Sequence, residues 1–382
     1  MSEYQYHEWQ TVDRVLTAEE RAAVGDLSSH IEVTSSRAVV TYHWSDFRHD
    51  PKQVLLKYFD GYFYLANWGR LRLMFRFPKG LLDESDIEPY CTEEYITFDT
   101  VGRYQVLDLD FNLEDGNGWM EAEAGLSLFI RLRADLLEGD YRLLYLAWLK
   151  AATLIGTIDE EDEYESDDPD RPAHDREPPV PSGLRKLSPS LQNFVQVFEI
   201  DPFPVQAAAE ASPDLEQPLA VDYRELIGRL PQGERDGFLI RLAEGDPGVG
   251  LALRKRLGAF LPQECPQAAR PPTIQQLFQR AKQLEKAEQK RQAEEARRKH
   301  VAEMKALAAR ESQTWQQVDN LLEKGRKIAS VYDEATGMLE KLKQLSEFQD
   351  RRDDFQARLR QLAQKYASRP SLIERWKKRG WV

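Results

Sequence analysis

Cysteine is scarce in this 382-residue chain. It has two, Cys91 and Cys265, and they fall far apart in different predicted segments. Such a pair excludes a disulfide framework and a CxxC-type zinc site. We interpret both as buried or incidental thiols.

Long hydrophobic runs are missing as well. No apolar stretch approaches the roughly 18 residues that a membrane span requires, and the first 30 residues lack the basic start and apolar run of a secretory signal. The sequence therefore predicts a cytoplasmic protein that makes no membrane contact.

Complete catalytic motifs are also absent. Gly116-Asn117-Gly118 and Gly248-Val249-Gly250 continue neither to a third glycine nor to Gly-Lys-Ser/Thr, so they indicate ordinary turns rather than a nucleotide loop. The chain has no Gly-x-Ser-x-Gly elbow and no His-Glu-x-x-His helix. We predict no catalytic residue, no cofactor-binding residue and no cofactor.

The charge that is present is distributed unevenly. Residues 1–158 carry 15 Lys+Arg against 26 Asp+Glu, residues 159–182 carry 2 against 11, and residues 273–382 carry 25 against 16. The asymmetry predicts separate modules and a charged partner for one of them.

Residues 1–158 mix strand and helix patterns and predict an acidic α+β domain. Thr17 begins a Thr-x-x-Glu capping box, and Asp50 followed by Pro51 is a typical helix start. Residues 125–155 have the spacing of one or two helices. Alternating, β-branched or aromatic residues predict strands at 4–12, 31–44, 62–67, 71–77, 95–98 and 104–111.

Residues 159–182 are acidic and rich in proline. Like charges repel and prolines remove backbone donors, so we predict a disordered linker. An acidic tract can instead mimic nucleic-acid phosphate and occupy a basic surface of its own chain, which is the alternative interpretation.

Helical patterns follow the linker, so the whole chain is predicted to be an α+β domain followed by an all-α region. Residues 183–272 predict a small bundle of about five helices; a helical repeat is the alternative, but no fixed period is visible. Thr273 and Gln276 begin a long helix predicted to run to about Lys324. Residues 285–300 within it predict a solvated strut held by pairs such as Glu294 with Arg298 and Glu295 with Lys299.

Residues 273–382 therefore predict a basic region of long helix and coiled coil. Apolar residues return after the strut at four-three spacing, which is typical of a coiled-coil seam. A second chain or a fold-back of the same chain would cover this seam, and spacing alone does not choose between them. The residues predicted to bind a partner or a second copy are Phe348, Phe355, Leu359 and Leu362.

Several segments resemble a bacterial protein family that has no established activity. They include EYQYHEWQTVDRVLT, YHWSDFRHDP and YFDGYFYLANWGRLRLMFRFP, and the similarity continues through SLQNFVQVFEIDP and LPQGERDGFLIRLAEGDP. The resemblance covers nearly the whole chain. It implies a bacterial, intracellular origin and supplies no catalytic residue.

Two groups of side chains in residues 1–158 are weak candidates for metal chemistry. His43, Asp46 and His49 lie within seven residues, although their spacing matches no known ligand pattern, and we predict no metal there. Asp108 and Asp110 share one face of a predicted strand, a pairing that Glu121 and Glu123 repeat, as in Mg²⁺-dependent nucleases. No lysine completes that arrangement nearby.

Three function hypotheses follow. The first is a non-enzymatic cytoplasmic scaffold or adaptor whose C-terminal helices mediate self-association or dock a protein partner. The alternative is a nucleic-acid-associated accessory protein that uses the basic C-terminal region. A metal-dependent nuclease or other enzyme in the N-terminal domain is third. The cations predicted to contact nucleic acid are Arg297, Arg298, Lys299, Arg375, Lys377, Lys378 and Arg379.

Overall fold

The computed structural model of the chain describes residues 4–112, 125–155, 177–215, 222–246, 248–260, 273–324 and 329–381. The chain divides into two compact units, residues 1–285 and 286–382. We call them the first and the second unit. The boundary between them falls inside a long helix.

The first unit is organised around one antiparallel sheet of seven strands in the order β2-β3-β1-β4-β5-β7-β6. The strands are β1 (Gln5–Gln10), β2 (Glu32–Val33), β3 (Arg37–Tyr42), β4 (Gly61–Ala66), β5 (Arg70–Pro78), β6 (Ile96–Val101) and β7 (Tyr104–Asn112). Each predicted strand segment overlaps at least one of them. The predicted α+β N-terminal domain is confirmed.

Helices alternate with these strands in the first half of the chain. They are α1 (Ala18–Gly25), α2 (Pro51–Tyr58), α3 (Glu84–Ile87), α4 (Ile130–Leu137) and α5 (Arg142–Leu154). Both predicted helix starts are confirmed. Thr17 and Glu20 form a reciprocal capping box, and the Asp50 carboxylate accepts a hydrogen bond from the Lys52 N–H at 2.9 Å.

Successive strand residues point to opposite sides of the sheet, and each of the two faces packs into a hydrophobic core. Phe63, Leu73 and Leu107 face one core, to which α4 and α5 contribute. Trp9 and Tyr62 face the other core, which α1 and α2 cover through residues such as Val24 and Leu55.

The helices that follow the predicted linker pack in two groups. They are α6 (Pro189–Val197), α7 (Pro202–Ala211), α8 (Tyr223–Arg229), α9 (Gln232–Ala243) and α10 (Val249–Gly258). Helices α6 and α7 belong to the core of the sheet, where Phe194 and Phe198 pack edge-on against Phe129. Leu226 and Leu257 belong to a small separate cluster of α8 and α10.

The predicted linker is described only from residue 177 onward; residues 159–176 lie outside the described part of the chain. Glu177 is buried, and the Tyr90 hydroxyl donates a hydrogen bond to the Pro179 carbonyl at 2.7 Å. The end of the acidic segment, residues 177–182, is therefore packed rather than free.

The remaining helices are α11 (Ile274–Ala308), α12 (Glu311–Lys324), α13 (Ala329–Phe348), α14 (Arg352–Lys365) and α15 (Pro370–Lys378). They complete the predicted all-α region. The predicted helix to Lys324 is interrupted after Ala308, where no proline or glycine marks a break. The first turns of α11 place Ile274 and Leu277 in the core of the first unit.

The structure of residues 285–300 agrees with the predicted solvated strut. Glu294 pairs with Arg298 at 2.7 Å and Glu295 with Lys299 at 2.9 Å, one helical turn apart. Among the described residues, no helix is both long and apolar enough to cross a membrane.

Candidate interaction surface

The weak metal candidates occupy a loop that packs against β1. The His43 ring lies 5.5 Å from the Tyr4 ring, and the Asp46 carboxylate accepts a hydrogen bond from Gln5 Nε2 at 2.5 Å. The His49 ring lies near the Phe47 ring and is tilted against it. No group of three or more His, Cys, Asp or Glu side chains in the described ranges is placed to hold a metal ion.

His7, which sequence reasoning did not single out, lies beneath this loop. Its Nδ1 is 2.9 Å from the Tyr62 hydroxyl, and its ring packs against Tyr64 and Phe47. Burial lowers the pKa of His7 to about 4, although the Asp46 carboxylate opposes the shift. The imidazole is therefore neutral at physiological pH, and its place in the core follows from the alternation of β1.

The two aspartates considered for nuclease chemistry are bound by arginines of the neighbouring strand. Arg72 donates two hydrogen bonds to Asp108, at 2.8 and 2.6 Å, and Arg70 donates two to Asp110, at 3.1 and 2.8 Å. A magnesium ion would have to displace both guanidinium groups. Glu121 and Glu123 lie outside the described residues.

Two further features noted in the sequence of the first unit, Gly248 and Cys91, lie within the described residues. The Gly248 N–H donates to the Asp246 carboxylate at 2.9 Å, which is the geometry of an ordinary turn, as predicted. Burial raises the pKa of the Cys91 thiol to about 11, as expected for an unreactive half-buried thiol. Gly116, Gly118 and Cys265 lie outside the described residues.

Most residues of the predicted partner-binding seam pack against other helices of the second unit. Phe355 and Leu359 are buried in a cluster formed by α12 to α15, and Leu362 packs at its edge. Phe348 alone is largely exposed, with its ring 6.3 Å from that of His300. The chain itself covers the stripe, so Phe355 and Leu359 are not available to a partner in this structure.

Most of the cations predicted to contact nucleic acid are neutralised locally. Arg375 pairs with Asp333, Lys378 with Glu374, and Arg379 lies 3.7 Å from Glu340. Arg298 and Lys299 are paired within the strut, while Arg297 and Lys377 make no ion pair within the described part of the chain.

The aromatic residues that flank the terminal cations are not exposed either. Trp376 and Trp381 are buried in the cluster of the second unit. They are therefore unavailable to stack on bases, which is how proteins that bind single strands use such side chains.

An exposed apolar surface is found instead on α9, in the three-helix group α8 to α10. Helix α9 has no buried residue between Gln232 and Ala243. Three of its large apolar side chains are mostly exposed to solvent: Leu239 is 63% exposed, Ile240 57% and Leu242 62%. We call these three residues the α9 surface. Leu239 and Leu242 share one side of the helix, and Ile240 lies about 100° around it from Leu239.

Helix α9 presents charged groups to its neighbour, with one aromatic ring among them. Its inward side carries Glu234, which accepts two hydrogen bonds from Arg256 of α10, at 2.7 and 3.2 Å. Phe238 and Arg241, four and seven residues after Glu234, are half-buried on the same side, because residues three and four apart share one side of a helix. The side chains of Leu239, Ile240 and Leu242 face water.

The sequence contains one signal for this surface. Phe238, Leu239 and Ile240 are consecutive, and consecutive helix residues are about 100° apart, so three of them cannot all face one core. Two further apolar side chains of the group are exposed on α8, Tyr223 and Ile227. Monomeric proteins seldom expose several large apolar residues together unless the patch binds something.

Comparison of the chain with protein-family models, with curated proteins and with solved structures finds no match. The inferences that follow therefore rest on the residues of this chain.

Proposed function

We propose that the chain is a non-enzymatic cytoplasmic scaffold or adaptor that docks a protein partner through the α9 surface. The observation that carries the proposal is the outward exposure of Leu239, Ile240 and Leu242 on a helix without a buried residue. Covering each fully would contribute about 1.5–3 kcal/mol, so a partner has a substantial gain available.

The chemistry of α9 suggests how the partner binds. Asp236 and Glu244 lie one helical turn before and after Ile240 and are exposed, so this side of the α9 surface has an acidic border. An apolar groove with basic residues at its rim would receive such a helix, as in other helix-in-groove complexes. Charge at the rim affects partner choice and association rate more than affinity.

The nucleic-acid alternative is supported by the excess of Lys+Arg in residues 273–382. Local ion pairs and the burial of Trp376 and Trp381 weaken that support. The enzyme hypothesis has less support, because Asp108 and Asp110 each accept hydrogen bonds from an arginine. Docking through α9 is thus the preferred proposal.

A photocrosslinking experiment tests the proposal. A benzophenone amino acid at Leu239 should crosslink a discrete protein in cells, whereas the same group at Val15, an equally exposed apolar residue elsewhere in the first unit, should not. Binding of that purified protein should then weaken at least tenfold in Leu239→Ser with Ile240→Ser. Equal weakening by Val15→Ser, or binding unchanged in the double variant, would refute it.

A further inference from the structure

A cavity of about 400 Å³ opens in the second unit between α12, α13 and α14. Its volume lies within the usual range for small-molecule sites. The buried part of its lining consists of the apolar Trp315, Leu342, Leu345 and Phe355 together with Ser346. The Ser346 hydroxyl donates to the Lys343 carbonyl of its own helix at 2.7 Å. The Trp315 and Phe355 rings are 5.7 Å apart, so an aromatic group entering the cavity meets aromatic walls.

Four charged side chains line the outer part of the cavity. Two of them, Arg351 and Asp354, already form an ion pair with each other. Arg351 Nε donates to the Asp354 carboxylate at 2.9 Å. Arg351 also donates to Gln349, at 3.2 Å. Its hydrogen bond to Glu311 of α12 is longer, at 3.4 Å, so its shorter hydrogen bonds lie at its own helix end.

The other two charges, Arg358 and Glu311, are only loosely engaged. The Arg358 guanidinium lies over the Trp315 ring, 5.3 Å from its centroid, and 3.7 Å from Glu311. It donates no hydrogen bond to any residue that the structure describes. Glu311 receives a long contact of 3.4 Å from Arg351. A pair this long and half-exposed costs little to separate.

We propose that this cavity binds a free aromatic α-amino acid. The aromatic side chain would lie against Trp315 and Phe355, the carboxylate would accept two hydrogen bonds from Arg358, and the ammonium would donate to Glu311. Arg358 and Glu311 are held at the rim only by contacts of 3.4 Å or longer, so a zwitterion can pair with both without leaving a charge unpaired. An apolar acid or amine would satisfy only one of the two.

Calorimetric titration of the full-length protein tests this site with three probes. L-Phenylalanine carries both charges, 3-phenylpropionate lacks the ammonium, and 2-phenylethylamine lacks the carboxylate. L-Phenylalanine should bind about tenfold or more tightly than either analogue, since each lost charged contact removes a hydrogen-bonded ion pair. Equal binding of all three, or no binding of L-phenylalanine at 10 mM, would overturn the proposal.

Two variants assign the contacts. Arg358→Gln should abolish the advantage of L-phenylalanine over phenylethylamine, and Glu311→Gln its advantage over phenylpropionate. Arg360→Gln is the matched control, because Arg360 is exposed on the same helix and lies about 200° around it from Arg358. If Arg358→Gln behaves like Arg360→Gln with all three probes while both retain the wild-type melting temperature, the assignment is wrong.

Discussion

The Tyr145 hydroxyl donates a hydrogen bond to the Glu177 carboxylate across 2.5 Å, and both side chains are buried. Glu177 follows directly on an acidic segment, yet it lies against α5, the most deeply buried helix of the first unit. Its other oxygen, Oε2, is buried without a hydrogen-bond partner among the described residues. A carboxyl group placed in this way resists ionisation.

The stability of the first unit should therefore depend on the protonation of Glu177. Burial raises the pKa of this carboxyl from 4.5 to about 7, although the Tyr145 hydrogen bond acts in the opposite direction. Between these values the folded state binds more protons than the unfolded state, so stability is lost as the pH rises. The Glu177 contribution should fall by about 3 kcal/mol from pH 4.5 to above pH 7.

The variant Glu177→Gln removes this titration while it keeps the shape of the side chain. Urea unfolding at pH 5 and pH 8, followed by hydrogen exchange in β4 and β5, should show that the variant loses less stability at pH 8 than the wild type. Identical pH dependence in the two proteins would mean that Glu177 ionises freely and is not held by α5.

A second prediction concerns the buried ion pair between Asp60 and Arg76. The two side chains are 2.7 Å apart and almost fully buried. Burial acts to raise the pKa of Asp60, but the Val12 N–H, Arg76 and Arg133 outweigh it and leave this pKa below its ordinary value. Asp60→Asn leaves the Arg76 charge without its partner and should destabilise the first unit by about 3–5 kcal/mol.

The matched control is Asp110→Asn. The partner of Asp110, Arg70, is about half-exposed, so water replaces the lost carboxylate and the cost should stay below about 1 kcal/mol. Urea midpoints of the two variants give the comparison. Equal losses of stability would show that burial does not determine how much each ion pair contributes to the free energy of unfolding.

Much of the sheet could be predicted from the sequence because its strands alternate with period two. Leu107, Leu109 and Phe111 of β7 face one core as expected, and the caps at Thr17 and Asp50 are local features that depend only on neighbouring residues. The strand order is not local: β1 lies between β3 and β4, and no spacing along the chain encodes that.

The candidate site was harder to predict for a different reason. A stripe of apolar residues shows that a helix has a side to be covered, but not which element covers it. Phe355 and Leu359, four residues apart, proved to be covered within the second unit, whereas Leu239 and Leu242, three residues apart, are exposed. Only tertiary packing distinguishes the two cases.

A third prediction follows from the exposure of the α9 surface. Leu239→Ser should change the free energy of unfolding by less than about 0.5 kcal/mol, since substitutions at such exposed positions remove little packing. Leu226→Ala, in the small core of the same three-helix group, should cost about 2–5 kcal/mol locally. Hydrogen exchange of peptides from α8 and α10 reports both. Strong destabilisation by Leu239→Ser would show that α9 packs through its apolar side.

The last prediction concerns Leu359 and Phe348, which the sequence places on one seam and the structure separates. Leu359 is fully buried in the cluster of the second unit, so Leu359→Ala should destabilise that unit by about 2–5 kcal/mol. Phe348 is 43% exposed, and Phe348→Ala should cost markedly less. Hydrogen exchange in α14, with light scattering on the same samples, distinguishes the interpretations. If Leu359 lay between two copies of the chain, Leu359→Ala would lower the measured mass; burial within one chain requires the mass to stay constant while exchange in α14 accelerates.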